Sequence, residues 1–562
     1  MEMVMKPGYK LYFFLLILPV LVLTGCKSDS PNGPVVNPTL VSSNIALSKD
    51  AGDPPVNNSV ETVELTFSEA LDTTGLTSLV KVYKMDSTGN PVKLPAYVAL
   101  DQFNKAIIRI KTAPVQKFPD GMEYKIEIDG ALKAKTGTPL GANYNGYFAT
   151  NRTFTFLGDP TLNSLRTQVV VISDIHLGMD NSFAECNANR AALVSFLTKI
   201  KNSPNVKELV IAGDLIDQWF VPMEYQAPTS EAAFVDAIAA NNQAIMDAFK
   251  AIIAEGQIKL TYAPGNHDIL VTAADMERIL PGINQARGSV QGIGEYKTGL
   301  QNEIIVEHGH KYNLFVAPDP ISNRNITGNT TSILPPGYFF TRIATSSVVQ
   351  GKPVSPNVWP DITYDKNDPM QELLYLYYQT WKAILVTLPI KQKFSDKVMT
   401  TNLDGFTANY SVNDILPQVN PNTGKLEVVL FDNMLATWDQ RQTMNGVKVK
   451  TPIKDAILLA NDSHLTDNQS KFQYFDTDGS IRIVIFGHTH EARILTYKNL
   501  NGKKTIYANS GTWIDHSLAH PGMIFTVVNE AGAGSPLSIV NNYQYSANGT
   551  VTQWETAQAI TK

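Results

Sequence analysis

The sequence contains little cysteine, little charge and no long basic run. Its 562 residues include two cysteines, too few for a disulfide scaffold, and 17% charged residues. The net charge of −6 and the lack of a basic run give no indication of a basic surface that binds nucleic acid. Its 36 glycines and 32 prolines are typical of globular proteins and exclude a collagen-like or broadly disordered chain. At about 100–200 residues per domain, the length predicts three to five folding units.

The N-terminus has an apolar run that is too short to span a bilayer. Leu11–Leu23 covers 13 residues, whereas a spanning helix needs roughly 20. Lys6 and Lys10 precede the run, as basic residues precede the apolar region of a signal peptide. We therefore predict a signal peptide over residues 1–25. The alternative is a membrane anchor helix.

The run ends in Leu23-Thr24-Gly25-Cys26, which resembles the bacterial lipobox. This resemblance implies that Cys26 is acylated and attaches the protein to a membrane through its lipid. Residues 26–40 would then be a polar tether, and the protein would belong to the cell envelope. Lys27 is not the aspartate that retains enterobacterial lipoproteins at the inner membrane, which favours the outer membrane or cell surface.

In residues 41–157, apolar and polar residues alternate as they do in a β domain. Apolar Val63, Leu65 and Phe67 alternate with polar residues, which is typical of half-buried strands. The closing Phe148-Ala149-Thr150 resembles the last strand of bacterial Ig-like modules, which implies an all-β Ig-like sandwich. Because no catalytic cluster occurs here, we expect a spacer rather than a weak binding module.

Five buried apolar strands each run directly into Asp, Asn or His residues. Helical patterns at Ala191–Ile200 and Glu231–Ile253 separate the first three of these strands, as in a parallel α/β sheet with its functional residues at the strand ends. The five motifs are Asp174-Ile175-His176, Gly213-Asp214-Leu215-Ile216-Asp217, Gly265-Asn266-His267-Asp268, His308-Gly309-His310 and Gly487-His488-Thr489-His490.

The order of these motifs resembles the calcineurin-like metallophosphoesterase superfamily. The resemblance implies an α/β four-layer sandwich, with two mixed sheets flanked by helices and a dinuclear metal centre at the strand ends. The resemblance covers about residues 165–318 and 480–530, and we predict that the domain has its first part at residues 165–318 and its second part at 480–562. The chain would then hydrolyse phosphate esters, either monoesters or diesters.

The resemblance also implies two sets of metal ligands. Asp174, His176 and His490 would hold one ion. Asn266, His308 and His488 would hold the other, and Asp214 would bridge both. These nitrogen and oxygen ligands without thiolate suit Mn, Fe or Zn.

Two divalent ions about 3.5–4 Å apart can bind a hydroxide that attacks phosphorus. The alternative function is that of a surface binding lipoprotein whose metallophosphoesterase fold is inactive. The complete set of seven metal ligands argues against that alternative.

Three further residues of the motifs have predicted roles. By the resemblance, His267 is a general acid and, with Asn266, a substrate-binding residue. Asp217 would orient His267 through a hydrogen bond, with a helix N-cap as its alternative role. His310 is predicted either to face the substrate or to support a metal ligand.

Residues 319–479 form an insertion between two ligand motifs. It contains an apolar, aromatic-rich helix over Glu372–Leu385, with Asp368-Pro369 as its start signal. Because the insertion begins and ends next to ligand motifs, it should lie near the metal site. We therefore predict that it forms a cap that shapes the substrate pocket. The alternative is a subdomain remote from that pocket.

Overall fold

The structure is a computed structural model that describes residues 36–162, 164–226, 228, 230–515, 521–532 and 535–561. The predicted signal peptide, Cys26 and the first part of the tether lie outside these residues. Within the described part of the chain, no helix has both the length and the apolar character needed to cross a membrane.

The N-terminal region is a strand-rich domain built from two sheets. One sheet has the strand order β1-β3-β7-β6, and the other has the order β2-β9-β8-β4-β5. Leu65, Ile108, Ile126 and Phe148 from both sheets pack in one buried core, which confirms the alternation read from the sequence. The strands are β1 (Leu40–Ser43), β2 (Val56–Asn57), β3 (Val63–Phe67), β4 (Val80–Met85), β5 (Pro91–Leu94), β6 (Ala96–Leu100), β7 (Ile107–Thr112), β8 (Glu123–Ile128) and β9 (Tyr144–Thr150), with helix α1 (Leu76–Leu79) before β4.

The remainder of the chain contains two mixed sheets and the helices around them. The strands are β10 (Gln168–Ile172), β11 (Val206–Ala212), β12 (Lys259–Ala263), β13 (Asn284–Gln285), β14 (Glu295–Thr298), β15 (Ile304–Glu307), β16 (Met399–Thr400), β17 (Asn409–Tyr410), β18 (Gln418–Val419), β19 (Leu426–Glu427), β20 (Ile483–Phe486), β21 (Arg493–Lys498), β22 (Lys504–Asn509), β23 (Ile524–Asn529), β24 (Leu537–Tyr545), β25 (Val551–Gln553) and β26 (Gln558–Thr561). One sheet has the order β13-β12-β11-β10-β23-β24-β25, with β26 paired to β24, and the other has the order β14-β15-β20-β22-β21.

Parallel pairing brings the functional ends of the strands together. Strand β10 pairs in parallel with β11, β11 with β12, and β15 with β20. The two sheets share one apolar cluster, which contains Val171 and Val210 from the first sheet and Ile304 and Ile485 from the second. All five strands that precede a motif are therefore completely or almost completely buried, as their continuous apolar sequences predict.

The helices confirm the predicted pattern, with one correction. The stretch Glu231–Ile253, whose pattern predicts helix, forms two helices that meet at Asn242 and not one continuous helix. The Asn242 side chain donates hydrogen bonds to the carbonyl groups of Gly178 and Ile238, and its backbone leaves the helical conformation. The helices are α2 (Arg190–Lys201), α3 (Glu231–Asn241), α4 (Gln243–Glu255), α5 (Ala273–Ile279), α6 (Arg324–Thr327), α7 (Gly337–Val349), α8 (Pro369–Leu385), α9 (Val412–Ile415), α10 (Met434–Met444), α11 (Ile453–Leu458) and α12 (Ser463–Ser470).

The predicted insertion packs against the first of the two mixed sheets. Helix α8 begins at Pro369, and the Asp368 carboxylate accepts hydrogen bonds from the backbone N–H groups of Met370 and Gln371, which confirms the predicted start signal. Tyr338 of α7 and Tyr377 of α8 belong to the same apolar cluster as the outer face of β10 and β11. The insertion is therefore attached to the core through its apolar helix faces.

Candidate metal centre

The predicted ligands meet where the strands end, and most of them have an unusual backbone conformation. Five of them have a positive φ, between 51° and 70°: Asp174, His176, Asp214, His488 and His490. Each such residue costs of order 1–3 kcal/mol, and this kind of strain concentrates at functional sites. The loops after β10, β11 and β20 therefore hold their side chains in positions that local backbone preference disfavours.

The first predicted set of ligands lies in one group of donor atoms. The ligand atoms of Asp174, His176 and His490 are all within 4.8 Å of one another. Nε2 of His490 is 3.2 Å from Oδ1 of Asp174, and it is also 3.2 Å from Nε2 of His176. Two imidazole nitrogens and a carboxylate that face one point are an arrangement suited to a cation.

A second group of donor atoms adjoins the first. Asp174, Asp214 and His308 also place ligand atoms within 4.8 Å of one another. Nε2 of His308 is 3.1 Å from Oδ2 of Asp214 and 3.1 Å from Oδ1 of Asn266. Oδ2 of Asp214 is in turn 3.7 Å from Nε2 of His176, so this carboxylate lies between the two groups.

His488 is less closely associated with the other donors. Its ring centre is 5.1 Å from that of His308, but its ring belongs to neither group of donors among the described residues. Its backbone N–H donates a hydrogen bond of 3.0 Å to the Asp174 carboxylate. The structure thus places His488 beside the two groups of donor atoms.

Neighbouring groups fix the orientation of two histidines. Nδ1 of His176 is 2.8 Å from Oδ2 of Asp217, and Nδ1 of His308 is 2.8 Å from the carbonyl oxygen of Ala212. A histidine that donates one ring N–H to an oxygen presents its other nitrogen to a metal. Both histidines therefore present Nε2 to the centre.

Two histidines of the centre have a raised pKa, whereas burial and the neighbouring His308 lower the pKa of His488 to about 3. Burial would lower the pKa of His176, but the hydrogen bond that it donates to Asp217 and the charges of Glu185, Asp217 and Asp214 raise it to about 10. Burial would likewise lower the pKa of His308, but Asp214 and Asp174 raise it to about 9. Carboxylates buried this close together repel one another unless a cation lies among them, so the donor set fits divalent metal ions.

His267 belongs to a third group of donor atoms, with His176 and Asp217, whose ligand atoms are also within 4.8 Å of one another. Its Nδ1 is 2.9 Å from Oδ1 of Asp217, its ring lies 4.8 Å from that of Trp219, and its backbone N–H donates to Asp214. Burial would lower the pKa of His267, but the charges of Asp217 and Asp214 raise it overall. His267 is therefore held in place by a carboxylate and an indole ring.

Asp217 accepts hydrogen bonds from the backbone as well. The N–H groups of Trp219 and Phe220 each donate to its Oδ1 over 2.7 Å. These bonds close a turn, and no described helix begins at Asp217, so the alternative of a helix N-cap does not apply here. The same carboxylate thus shapes its loop and contacts His176 and His267.

His310 is buried beside the candidate ligands. Its ring is 5.3 Å from that of His308, and the residue is 2% exposed. Burial and the neighbouring His308 and His488 lower its pKa well below the ordinary value. Among the described residues, the cavity at the centre has no contribution from His310.

A cavity of about 330 Å³ opens next to the candidate ligands. Part of its lining comes from the centre and part from the insertion, which therefore reaches the site. From the centre and its loops, the lining residues are Asp214, Trp219, Asn266, His267, His488 and His490.

Three residues at the centre were not assigned a role from the sequence. Asp268 is part of one motif and Trp219 follows another by two residues, so their positions in the sequence could have indicated that they lie at the centre. Asp268 accepts hydrogen bonds from the N–H groups of Gly265 and Leu215. Asn509 donates to the carbonyl of Gly487, a contact between strands that no sequence spacing indicates.

Acidic and imidazole side chains that could bind metal therefore lie together at the ends of mixed-sheet strands. The model of the calcineurin-like phosphoesterase family matches residues 167–335. This part of the chain is therefore a calcineurin-like phosphoesterase domain, whose match extends into the start of the insertion. No curated protein matches the chain.

Several solved structures are similar to the chain over about a fifth of its length. The methionine-rich copper resistance protein PcoC from Escherichia coli is 18% identical over 21% of this chain and 100% of its own, with a TM-score of 0.16. The bacterial S-layer protein SbsC is 16% identical over 21% of this chain and 14% of its own, with a TM-score of 0.16. CopC from Methylosinus trichosporium OB3b is 13% identical over 21% of this chain and 100% of its own, with a TM-score of 0.14. Likenesses this slight carry no argument about the chain.

Proposed function

We propose that the chain is a phosphoesterase that hydrolyses phosphate esters with two divalent metal ions. The observation that carries this proposal is the pair of adjoining donor groups, in which His176 and His308 both present Nε2 while other groups occupy their Nδ1 atoms. Asp174, His176 and His490 would hold one ion, and Asn266, His308 and His488 the other. Asp214, which lies between the groups, would contact both.

The chemistry of the donor set favours Mn, Fe or Zn, because it consists of imidazole, carboxylate and amide groups. When bound, two such ions lower the pKa of water and neutralise charge on the phosphate oxygens. The buried carboxylates of Asp174 and Asp214 supply the negative charge that retains the ions in the protein.

The residues of the chain position the ester and transfer a proton. In hydrolysis, a water oxygen forms a bond to phosphorus as the bond from phosphorus to the ester oxygen breaks, and the departing oxygen takes up a proton. We assign the donation of that proton to His267, which lines the cavity and has a raised pKa. Asp217 holds Nδ1 of this ring, which leaves Nε2 as the donating atom.

The surrounding architecture is part of the same proposal. Two mixed sheets with a shared apolar cluster and outer helices support a four-layer sandwich. The two-sheet domain at residues 40–150 supports an Ig-like spacer, and the lipobox-like sequence supports attachment of the spacer to a membrane through Cys26. The enzyme would then act in the cell envelope, at the outer membrane or cell surface.

The decisive test is metal-dependent turnover of the full-length chain, extracted in detergent and loaded with Mn. Aryl phosphate monoesters and diesters are the substrates, and Asp214→Ala is the inactive control. We expect hydrolysis that Asp214→Ala abolishes, and the preferred ester then identifies the reaction as monoester or diester cleavage. The absence of both turnover and bound metal would contradict the proposal and would favour a binding lipoprotein with an inactive fold.

The membrane attachment is tested separately by Cys26→Ser. In cells fed a labelled fatty acid, we expect label on the native chain and none on the variant, which should leave the membrane fraction. Equal membrane association of the two proteins would contradict attachment through Cys26 and favour an anchor helix.

A further inference from the structure

The cavity beside the metal centre has a lining of two chemically different parts. One part consists of the acidic, amide and imidazole residues of the centre. The other part is mainly apolar, and we call its apolar side chains the apolar wall. The apolar wall consists of Val316, Phe340, Ala344, Trp381, Ile384 and Leu388.

The apolar wall is built chiefly by two helices of the insertion. Phe340 and Ala344 are four residues apart on α7, and Trp381 and Ile384 are three residues apart on α8, so each pair shares one helix face. The rings of Phe340 and Trp381 stack in parallel, at an angle of 3°. Phe315 packs edge-on against Trp381 at 5.1 Å. These contacts hold the wall in place before any ligand binds.

The wall is also fixed relative to the candidate proton donor. Trp219 lies 4.8 Å from His267 and lines the cavity. A Cβ atom on Gly337, the first residue of α7, would lie 3.1 Å from the Trp219 ring and 2.8 Å from the carbonyl oxygen of Phe315. The glycine therefore lets α7 pack directly against the indole that supports His267.

The charge of the lining restricts what the cavity accepts. All of its lining residues are described, and none of them is lysine or arginine. A second phosphate on the ester would require such a partner, as would most other anionic groups. A polyol group would require several hydrogen-bonding partners, whereas Thr341 and Asn461 are the polar residues that the insertion contributes to the lining.

We propose that the apolar wall receives the organic group of the ester, and that this group is aromatic or aliphatic and uncharged. This inference rests on the proposed function, because it places the phosphate of the same molecule at the metal centre. A volume of about 330 Å³ lies at the lower end of ligand pockets and suits a ring-sized group. Burial of such a group against Trp381 and Ile384 removes apolar surface from water. Binding of an ester with this group is therefore favoured over binding of an ester with a smaller or polar group.

Binding of two phosphonates tests the wall without turnover. Benzylphosphonate and methylphosphonate carry the same anionic group and differ by one phenyl ring. On the Mn-loaded, full-length protein, titration calorimetry should give benzylphosphonate a Kd at least about tenfold lower, which is the range expected for an apolar pocket. Equal Kd values for the two phosphonates would overturn the inference.

Matched variants on α8 test whether the preference for benzylphosphonate over methylphosphonate arises from the apolar wall. Ile384 is half-buried and lines the cavity, whereas the adjacent Ala383 is exposed and does not. Ile384→Glu should reduce the preference for benzylphosphonate to less than about threefold, and Ala383→Glu should leave it unchanged. If Ile384→Glu does not fold, Ile384→Ala should still reduce the preference severalfold. An unchanged preference in a folded Ile384 variant would overturn the inference.

Turnover of benzyl and methyl phosphate separates this inference from the proposed function. The two leaving alcohols have similar acidity, so a higher kcat/KM for the benzyl ester reports on the apolar wall. Equal turnover of both, abolished by Asp214→Ala, would support the phosphoesterase and overturn the inference. No turnover of either, together with selective binding of benzylphosphonate, would contradict the proposed function and retain the apolar site.

Discussion

Nδ1 of His176 donates a hydrogen bond of 2.8 Å to the carboxylate of Asp217, and both side chains are only 1% exposed. The other oxygen of the same carboxylate is 2.9 Å from Nδ1 of His267. One buried carboxylate therefore orients a candidate metal ligand and a candidate proton donor. In the proposed mechanism, this arrangement would link metal binding to proton transfer and make Asp217 a positioning residue for both.

Replacing Asp217 by asparagine should weaken both functions. Asp217→Asn keeps an oxygen for the backbone N–H groups of Trp219 and Phe220 but removes the charge beside His176 and His267. Loss of such a partner typically lowers metal affinity or activity by about 10- to 100-fold. We expect Mn affinity and kcat to fall in this range, as measured by metal titration and ester hydrolysis.

The matched control for this change is Asp247→Asn, because Asp247 is exposed on α4. It should leave both quantities unchanged. A folded Asp217→Asn protein with the native Mn affinity and the native kcat would show that the carboxylate does not act on the centre.

Metal removal should lower the stability of the phosphoesterase domain. Asp174 and Asp214 are buried carboxylates that share one group of donor atoms, and a bound cation stabilises the folded state that brings them together. At a free metal concentration of about 100 times Kd, the gain is about 2.7 kcal/mol. Addition of Mn to chelated protein should therefore raise Tm by at least about 3 °C in a calorimetric scan.

Asp214→Ala is the informative variant for this measurement, and Asp247→Ala is its control. Mn should not raise the Tm of Asp214→Ala, whereas Asp247→Ala should respond as the native chain does. A similar rise in all three proteins would indicate that the metal stabilises the chain from another place.

Gly265 should not tolerate a side chain, because it packs against Asp214. A Cβ atom at this position would lie 2.6 Å from the backbone nitrogen of Asp214 and 2.9 Å from its Cγ. Gly265→Ala must then displace the carboxylate that lies between the two donor groups. We expect a loss of about 1–3 kcal/mol in the free energy of unfolding, as in other overpacked sites, together with weaker Mn binding.

Gly256→Ala serves as the comparison for Gly265→Ala. Gly256 has a φ of 68° and open space around it, so alanine there adds backbone strain and no contact with the centre. It should cost about 1–2 kcal/mol of stability and leave Mn affinity intact. If both variants retain native Mn affinity, the close approach of Gly265 to Asp214 is not required for metal binding.

Much of the candidate centre could be predicted because its residues follow buried strands directly. The apolar sequence of β10 and the adjacent Asp174 and His176 are one continuous local signal, and parallel pairing with β11 then brings Asp214 close. The contact between Asp217 and His176 has no such signal, because it depends on how the loop after β11 meets the loop after β10. These loops pair at Leu177 and Ile216, a tertiary contact.

The apolar wall illustrates a second limit of sequence patterns. The spacing of apolar residues predicts that α8 has an apolar face, but it does not predict what that face contacts. In the structure, part of this face packs in the core and part lines the cavity. Leu374 and Tyr377 are buried in the core, whereas Trp381 and Ile384 line the cavity. The break between α3 and α4 also depends on a tertiary contact, because the Asn242 side chain donates a hydrogen bond to the carbonyl of Gly178, which is distant in the sequence.

Asn509 should prove necessary for the turn that carries His488 and His490. It is fully buried at the end of β22, and its side-chain nitrogen donates to the carbonyl of Gly487 over 2.7 Å and to the hydroxyl of Thr489 over 3.0 Å. Asn509→Ala leaves that buried carbonyl without this donor, which costs about 1–3 kcal/mol. The turn then loses the contact that holds its two histidines against the centre.

We therefore expect Asn509→Ala to lower Mn affinity and kcat as well as stability. Asn501→Ala is the control, because Asn501 is exposed in the loop just before the same strand. Metal titration and ester hydrolysis distinguish the two possible roles of Asn509. A variant that loses stability but binds Mn and turns over substrate as the native chain does would show that Asn509 supports the sheet alone. A parallel fall in Mn affinity and kcat would identify it as a positioning residue, since a hydrogen bond to a neighbouring turn acts on the ligands through their geometry.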